Sequence, residues 1–268
     1  MSKKSILFIH GAWMTPLCWE KYIAFFQERG YQCLAPSWPY DDRSVDELRA
    51  SPDPGLSKLG ISEIAAHYEK IIRDLPEPPV LVGHSFGGLF VQMLLDRGLG
   101  SAGVAINSAP PKGVLAVYWS VIKCLSWILR APTNQNKVLG IPFKEFKYAF
   151  VNDLSFEEQK VVYERYVVPA PGRVFFQAAS APLNDVSRIN FLNDNRAPLL
   201  LIAGSKDLIC PSSQIHDNFR KYKNSSAATE FKEFDGFSHW IIAQKGWEKT
   251  ALFIDNWICG LKQGPITV

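Results

Sequence analysis

Residues 83–87 read Gly-His-Ser-Phe-Gly and place a serine between two glycines in a G-x-S-x-G pattern. An apolar run at 80–82 precedes the pattern and a helix-like run at 86–97 follows it, which predicts a strand, a sharp turn and a helix. Small residues two positions before and after the serine allow that turn. Ser85 is therefore a candidate nucleophile, held where a buried strand ends.

A serine hydroxyl needs a general base to become nucleophilic near neutral pH, and histidine is the usual one. Of the five histidines, His239 is the best candidate, because it follows the last predicted strand and precedes the final helix. A loop at that position lies at the same sheet edge as Ser85. His84, next to the serine, is interpreted as a packing residue, and the remaining three are not assigned to catalysis: His10, His67 and His216.

The base in turn needs a carboxylate that orients it. Asp207 follows the apolar run 199–203 within Gly-Ser-Lys-Asp, and therefore belongs to the sheet edge where α/β proteins bind ligands. Asp235 is closer to His239 in sequence, but at four positions before the histidine it is expected to structure its own loop. The resulting chain order is Ser85, Asp207, His239, which is typical of this architecture.

An oxyanion site is predicted where the first strand ends. Residues 10–13, His-Gly-Ala-Trp, follow the apolar run 5–9, so their backbone amides face the same edge as the serine. The amides of Ala12 and Phe86 could together hold the oxyanion of a tetrahedral intermediate. A phosphate-binding loop is the competing interpretation, but neither glycine-rich phosphate pattern occurs here.

Strands and helices alternate along most of the chain, which predicts a mostly parallel sheet of about six strands with helices on both faces. The predicted strands are residues 5–9, 32–35, 80–82, 102–107, 199–203 and 230–234. The predicted helices outside the interval 110–196 are residues 16–29, 61–75, 86–97, 213–222 and 247–258. The interval itself is aromatic, has helical runs at 114–129 and 156–166 and lacks a convincing buried strand, which favours an inserted helical lid over ordinary connections.

The composition of the chain excludes several classes of binding partner. The formal charge of +3, from 29 basic and 26 acidic residues, is too small to predict a nucleic-acid partner or an anionic-membrane partner. Five scattered cysteines without a C-x-x-C spacing argue against a zinc site and a disulfide framework, so no metal and no cofactor are expected. The N-terminal apolar run is too short for a secretory signal and none is long enough to span a bilayer, which favours a cytoplasmic protein without stable membrane insertion.

These four pieces together resemble the α/β-hydrolase superfamily: the turn at 10–13, the elbow at 83–87, the loop at 204–207 and the loop at 237–240. The resemblance implies an α/β-hydrolase core at 1–109 and 197–268 and a cap domain at 110–196. It also implies that Ser85, Asp207 and His239 form the triad. The first predicted strand is the one directly before the oxyanion turn, whereas larger members of the superfamily have two extra strands first. In this respect the chain is similar to the small branch of plant methylesterases, hydroxynitrile lyases and bacterial carboxylesterases.

Within that superfamily the residues favour ester hydrolysis through an acyl-enzyme. Dehalogenases and epoxide hydrolases carry an aspartate at the elbow, whereas this chain has Ser85. Hydroxynitrile lyases have a threonine and a lysine where this chain has Gly11 and Trp240. A cofactor-free perhydrolase or haloperoxidase, a lipase-like enzyme and a triad-retaining small-molecule receptor remain alternatives.

The substrate is predicted from aromatic residues near the catalytic positions. Trp13 and Trp240 flank them and Trp119 belongs to the lid, so an ester with an apolar or aromatic group is favoured over a charged one. The run 114–129 could alternatively dock on lipid, although cap helices normally bury themselves. The sequence leaves a monomer and a homodimer equally open.

Overall fold

The computed structural model describes residues 4–115 and 117–261. Eight strands lie in this part of the chain: β1 Ser5–Ile9, β2 Gln32–Leu34, β3 Val80–His84, β4 Ala102–Ile106, β5 Val138–Leu139, β6 Ala170–Pro171, β7 Leu199–Gly204 and β8 Thr229–Phe234. Ten α-helices accompany them: α1 Glu20–Glu28, α2 Val45–Ala50, α3 Ile61–Arg73, α4 Phe86–Asp96, α5 Trp119–Leu129, α6 Phe143–Ala149, α7 Phe156–Tyr166, α8 Gly172–Ala179, α9 Ser212–Lys221 and α10 Glu248–Gly260. Five short 3-10 turns complete the described elements: Pro16–Trp19, Pro54–Lys58, Pro132–Asn136, Ala181–Leu183 and Tyr222–Asn224.

Six strands form one parallel sheet in the order β2-β1-β3-β4-β7-β8, which confirms the predicted fold class. The four inner strands are apolar along nearly their whole length, because helices cover both faces of the sheet and leave no side for water. Strand β8 lies at the edge and alternates between more and less exposed positions. Burying each Val, Leu or Ile of the inner strands contributes about 1.5–3 kcal/mol.

Helix α4 is the central helix of the fold. It starts directly after β3, packs against β1, β3 and β4, and is buried from Phe86 to Leu95. A helix that is apolar all round requires a fully enclosed position. The β3–α4 turn is thereby fixed at the carboxyl edge of the sheet.

The segment between β4 and β7 contains α5 to α8 and a separate two-stranded antiparallel sheet, β5-β6. The prediction that this interval lacks a buried strand was wrong for β6, which is only two residues long and therefore left no periodic signal. The predicted helix at 114–129 begins only at Trp119, because Gly113 has a φ of 92° and Tyr118 is extended. The second predicted helix, α7, has the expected bounds.

No helix of the described residues is long and apolar enough to cross a membrane. The five cysteines are all free thiols.

Candidate active site

Ser85 occupies a strained turn between β3 and α4. Its φ of 58° and ψ of −121° are a conformation that non-glycine residues rarely adopt. Two glycines make the turn possible, since a Cβ on Gly83 would lie 2.1 Å from the carbonyl oxygen of Gly87, and one on Gly87 would lie 2.0 Å from that of Ile9. The turn is locked by the Ser85 amide, which donates to the Ile106 carbonyl of β4 at 3.0 Å.

Asp207 and His239 meet in the interior at the same sheet edge. Nδ1 of His239 lies 2.6 Å from Oδ2 of Asp207, and both side chains are completely buried. The second carboxylate oxygen accepts the amides of Ile209 and Cys210 at 2.9 and 2.8 Å. A carboxylate held in this way orients the imidazole and keeps the Nδ1–H tautomer, which leaves Nε2 as the basic nitrogen.

Nε2 of His239 is buried and has no hydrogen-bond partner among the described residues. The side chains of Ser85 and His239 do not hydrogen-bond to each other, although His84, next to the serine, has its ring 4.5 Å from the ring of His239. Catalytic hydrogen bonds are often long in an empty site and tighten when substrate binds. Asp235 accepts instead from the hydroxyl of Ser205 in the loop after β7, so it connects two loops rather than structuring only its own.

The predicted oxyanion turn lies against the serine. A Cβ on Gly11 would be 2.7 Å from the Cβ of Ser85, so the 10–13 turn and the nucleophile are in direct contact. Within residues 4–115 and 117–261, the amides of Ala12 and Phe86 donate no backbone hydrogen bond. Both residues line the same cavity as Ser85, which leaves two amide donors available beside the hydroxyl.

His10 maintains the shape of that turn. Its Nδ1 donates to the Gly11 carbonyl at 2.9 Å, and its Nε2 accepts the Trp38 amide at 3.2 Å. Burial lowers the pKa of His10 to about 4, so the ring is neutral at pH 7 and both hydrogen bonds keep their direction.

A cavity of about 720 Å³ opens beside Ser85 and extends beneath the lid. Its wall is apolar along most of its length, with two cationic residues, Lys112 and Arg130, on it. Other wall residues include Trp13, Phe86, Leu125, Leu129, Phe175 and Ile209. The volume falls in the range of small-molecule sites, and the lining fits an apolar group.

The three tryptophans predicted to bind substrate have different positions. Trp13 lines the cavity, stacks on Phe175 with ring centroids 4.4 Å apart, and donates from Nε1 to the Leu139 carbonyl. Trp119 does not line the cavity and is 79% exposed, because it begins α5 on the solvent side. Trp240 does not line it either, since its side chain is buried against Tyr166.

A model of the alpha/beta hydrolase family matches residues 6–244 of this sequence, which is most of the chain. The chain belongs to the α/β hydrolase family. A comparison with curated protein sequences gave no match.

Solved structures with the same fold are distant in sequence. The α/β hydrolase is similar to the monoacylglycerol lipase of Paleococcus ferrophilus, with 20% identity, a TM-score of 0.65 and coverage of 96% of this chain and 95% of the other. Tomato methylketone synthase I complexed with 2-tridecanone shares 18% identity at a TM-score of 0.68, over 96% of this chain and 99% of that one. An extracellular α/β-hydrolase from a Paenibacillus species shares 17% identity at a TM-score of 0.68, over 94% and 98%.

Asn107 of this hydrolase is a site residue that the sequence analysis missed. It follows β4, has a φ of 44° and is fully buried. Its Oδ1 accepts the Gly204 amide at 2.8 Å and its Nδ2 donates to the Ser238 carbonyl at 3.1 Å. One side chain thus connects the loop of Asp207 to the loop of His239. Its place directly after a central strand was the available signal.

His84 and Trp240 also hold the histidine loop. Nε2 of His84 donates to the His239 carbonyl at 2.7 Å, and burial places the pKa of His84 well below its usual value, so the ring is a neutral donor. The Trp240 amide donates to the Phe150 carbonyl at 3.0 Å, and the ring edge of Phe150 packs against His239. The predicted packing role of His84 therefore includes a directional hydrogen bond.

Among the described residues, the one set of potential metal ligands includes both members of the Asp207–His239 pair. Donor atoms of Asp207, Cys210 and His239 lie within 4.8 Å of one another. A metal there would have to displace the 2.6 Å hydrogen bond between carboxylate and imidazole. The arrangement therefore fits proton transfer better than metal binding.

Proposed function

We propose that this α/β hydrolase cleaves carboxylic esters by acyl transfer through Ser85, His239 and Asp207, and that its substrate carries an apolar acyl group. The observation that carries the proposal is the combination of the buried 2.6 Å Asp207–His239 pair with a serine on the wall of an apolar cavity. Hydrolysis by a serine nucleophile needs an oriented histidine base together with a serine that a substrate can reach.

In the proposed reaction, Oγ of Ser85 attacks the ester carbonyl while Nε2 of His239 accepts the hydroxyl proton. The amides of Ala12 and Phe86 donate to the oxyanion that forms, and such donors contribute about 3–4 kcal/mol each. The C–O bond of the ester then breaks, and the alcohol leaves with the proton from His239. Water, deprotonated by His239, attacks the acyl carbon, the bond to Oγ breaks, and Ser85 takes the proton back from His239 as the acid leaves.

The preference for an apolar acyl group follows from the wall of the cavity. Side chains of Leu125, Leu129, Phe175 and Ile209 would surround a chain attached at Ser85. Each buried methylene contributes about 0.8 kcal/mol, which is about fourfold in kcat/KM. Activity should therefore rise with acyl length until the cavity is full.

The proposal is tested with p-nitrophenyl esters from acetyl to dodecanoyl, measured below the critical micelle concentration. We expect kcat/KM to rise by up to fourfold per methylene through the short members and then level off. Ser85→Ala should abolish turnover and labelling by a fluorophosphonate, with an unchanged circular dichroism spectrum.

Ser126→Ala is the matched control, because Ser126 lines the same cavity but donates to the Lys123 carbonyl of its own helix. It should retain activity. Comparable turnover in Ser85→Ala would disprove the nucleophile assignment, and a flat or falling length profile would disprove the apolar acyl preference. A single slow burst without turnover would favour a ligand receptor.

A further inference from the structure

The large hydrophobic side chains that are most exposed in the described part of the chain lie around the mouth of the cavity. Leu115, Val117, Trp119 and Leu183 are 72%, 77%, 79% and 89% exposed, above every other large hydrophobic residue there. Leu115 and Val117 are also wall residues of the cavity, as are Ile122, 47% exposed, and Pro182, the neighbour of Leu183. We call Leu115, Val117, Trp119, Ile122 and Leu183 the rim.

The rim is exposed although the elements that carry it are packed. Tyr118 donates from its hydroxyl to Asp217 of α9 at 3.0 Å, which ties the start of α5 to the core. Val121, Cys124 and Ile128 are buried on the inner face of the same helix. The helix therefore already has an apolar face in the interior, and the rim is a second apolar surface that faces water. Contiguous exposed apolar surface of this kind marks interaction sites.

The chain segment that carries most of the rim is basic. Between Pro110 and Lys144 the chain has five basic residues and no acidic one. The five are Lys112, Lys123, Arg130, Lys137 and Lys144. Lys112 pairs with Asp185 across the mouth, whereas Arg130 on the cavity wall has no ion pair in residues 4–115 and 117–261. An apolar surface carried by a basic segment, with the unpaired Arg130 on the adjoining cavity wall, is complementary to anionic lipid.

We propose that the rim docks on an anionic lipid bilayer, so that the mouth of the cavity opens toward the acyl chains. This inference rests on the proposed function, because it supplies an entry route for an acyl ester to Ser85. A second copy of the chain is disfavoured as the occupant, since two rims face to face would bring like charges together. Apolar residues enter the interface while basic residues contact the headgroups, as in other proteins that lie on a membrane surface.

Vesicle co-sedimentation tests the docking directly, with phosphatidylcholine vesicles containing 30% phosphatidylglycerol. The assay uses the full chain with Ser85→Ala, so that binding is read without turnover and does not depend on the proposed reaction. Trp119→Ser combined with Leu183→Ser should weaken binding at least tenfold, because both side chains are on the rim and neither lines the cavity.

Phe156→Ser combined with Val161→Ser is the matched control. These residues of α7 are 56% and 60% exposed and do not line the cavity, so their loss removes similar apolar surface elsewhere. The control should bind like the parent. In chains that retain Ser85, both double variants should hydrolyse p-nitrophenyl acetate within twofold of wild type, since that ester needs no membrane.

The charge contribution is tested separately. Lys123→Glu should weaken binding to anionic vesicles at least fivefold. Lys249→Glu on α10 is the matched control, because it makes the same charge change on another helix, and it should bind like the parent. Absence of binding to any vesicle would overturn the proposal, as would equal losses in the rim variants and their controls. Self-association that depends on Trp119 and Leu183, seen by analytical ultracentrifugation, would assign the rim to a second copy instead.

Discussion

Asn107 is predicted to be the positioning residue that fixes the loop of Asp207 and the loop of His239 relative to each other. It does not line the cavity, and its side chain acts through hydrogen bonds to Gly204 and Ser238 and a longer one, of 3.5 Å, to the His239 carbonyl. The perturbation that isolates this role is Asn107→Gly, because glycine accepts the φ of 44° without strain while alanine does not.

The expected magnitude follows from the groups that lose their partners. Asn107→Gly leaves the Gly204 amide and the Ser238 carbonyl without the amide side chain, in a region where Asn107 itself is fully buried. An unsatisfied buried group costs about 1–3 kcal/mol, so the loss of partners for two groups should lower the free energy of unfolding by about 2–6 kcal/mol. A shift of the histidine by a fraction of an ångström should lower kcat by roughly 10–100-fold.

Steady-state kinetics with a p-nitrophenyl ester separates positioning from simple destabilisation. For Asn107→Gly we expect the loss in kcat, with KM within threefold, because the cavity is unchanged. Asn218→Ala is the matched control: Asn218 donates to Gln92 at 2.9 Å in another buried network, so its loss should destabilise the fold and preserve kcat. If Asn107→Gly keeps wild-type kcat below its melting temperature, or Asn218→Ala loses as much, the reasoning is refuted.

Two further predictions concern carboxylates. Asp207→Asn should lower kcat in an ester assay by roughly 10⁴-fold, because it favours the wrong imidazole tautomer of His239. Asp235→Asn should keep kcat within a fewfold of wild type. The opposite result would show that Asp235 is the acid. Asp41 is buried with an unpartnered Oδ1, and burial raises its pKa from 3.8 to about 7. The folded state therefore holds a proton there that the unfolded state releases, so stability is full below pH 4, declines as pH rises to about 7 and stays lowered above it. At about 1.4 kcal/mol per tenfold change in proton affinity, the loss is on the order of 4 kcal/mol. Asp41→Asn should remove this decline when the free energy of unfolding is measured by urea denaturation from pH 4 to 8, whereas Asp42→Asn, at an exposed position, should leave it in place. If stability still declined with pH in Asp41→Asn, the assignment would be contradicted.

The fold class could be predicted because the inner strands and α4 are enclosed on all sides. Enclosure requires continuous apolar runs, and such runs are visible in the sequence without any partner. The lid was predicted less well, since its helices are short and partly exposed. Helix α5 begins at Trp119 rather than at residue 114, and the two-residue strands β5 and β6 have no periodicity that could reveal them.

The candidate catalytic residues could be proposed from the sequence because each lies within a few residues of the end of a predicted strand. Parallel strands bring their carboxyl ends to one edge, so the sequence predicts Ser85, Asp207 and His239 at the same edge of the sheet. The 2.6 Å Asp207–His239 pair in the structure is consistent with that expectation. The role of Asn107 was not visible, because it depends on two loops that are about 100 and 130 residues away in sequence.

Side-chain direction was decided by the tertiary structure alone. Trp13, Trp119 and Trp240 were equivalent candidates in the sequence, yet the first lines the cavity, the second is exposed and the third is buried against Tyr166. The positions of the strands along the chain predicted where the candidate site lies, because apolar runs mark buried strands without any tertiary information. Which aromatic residues reach the cavity, and which form the exposed rim, depended on how the lid packs over the sheet, and that packing is a property of the whole chain.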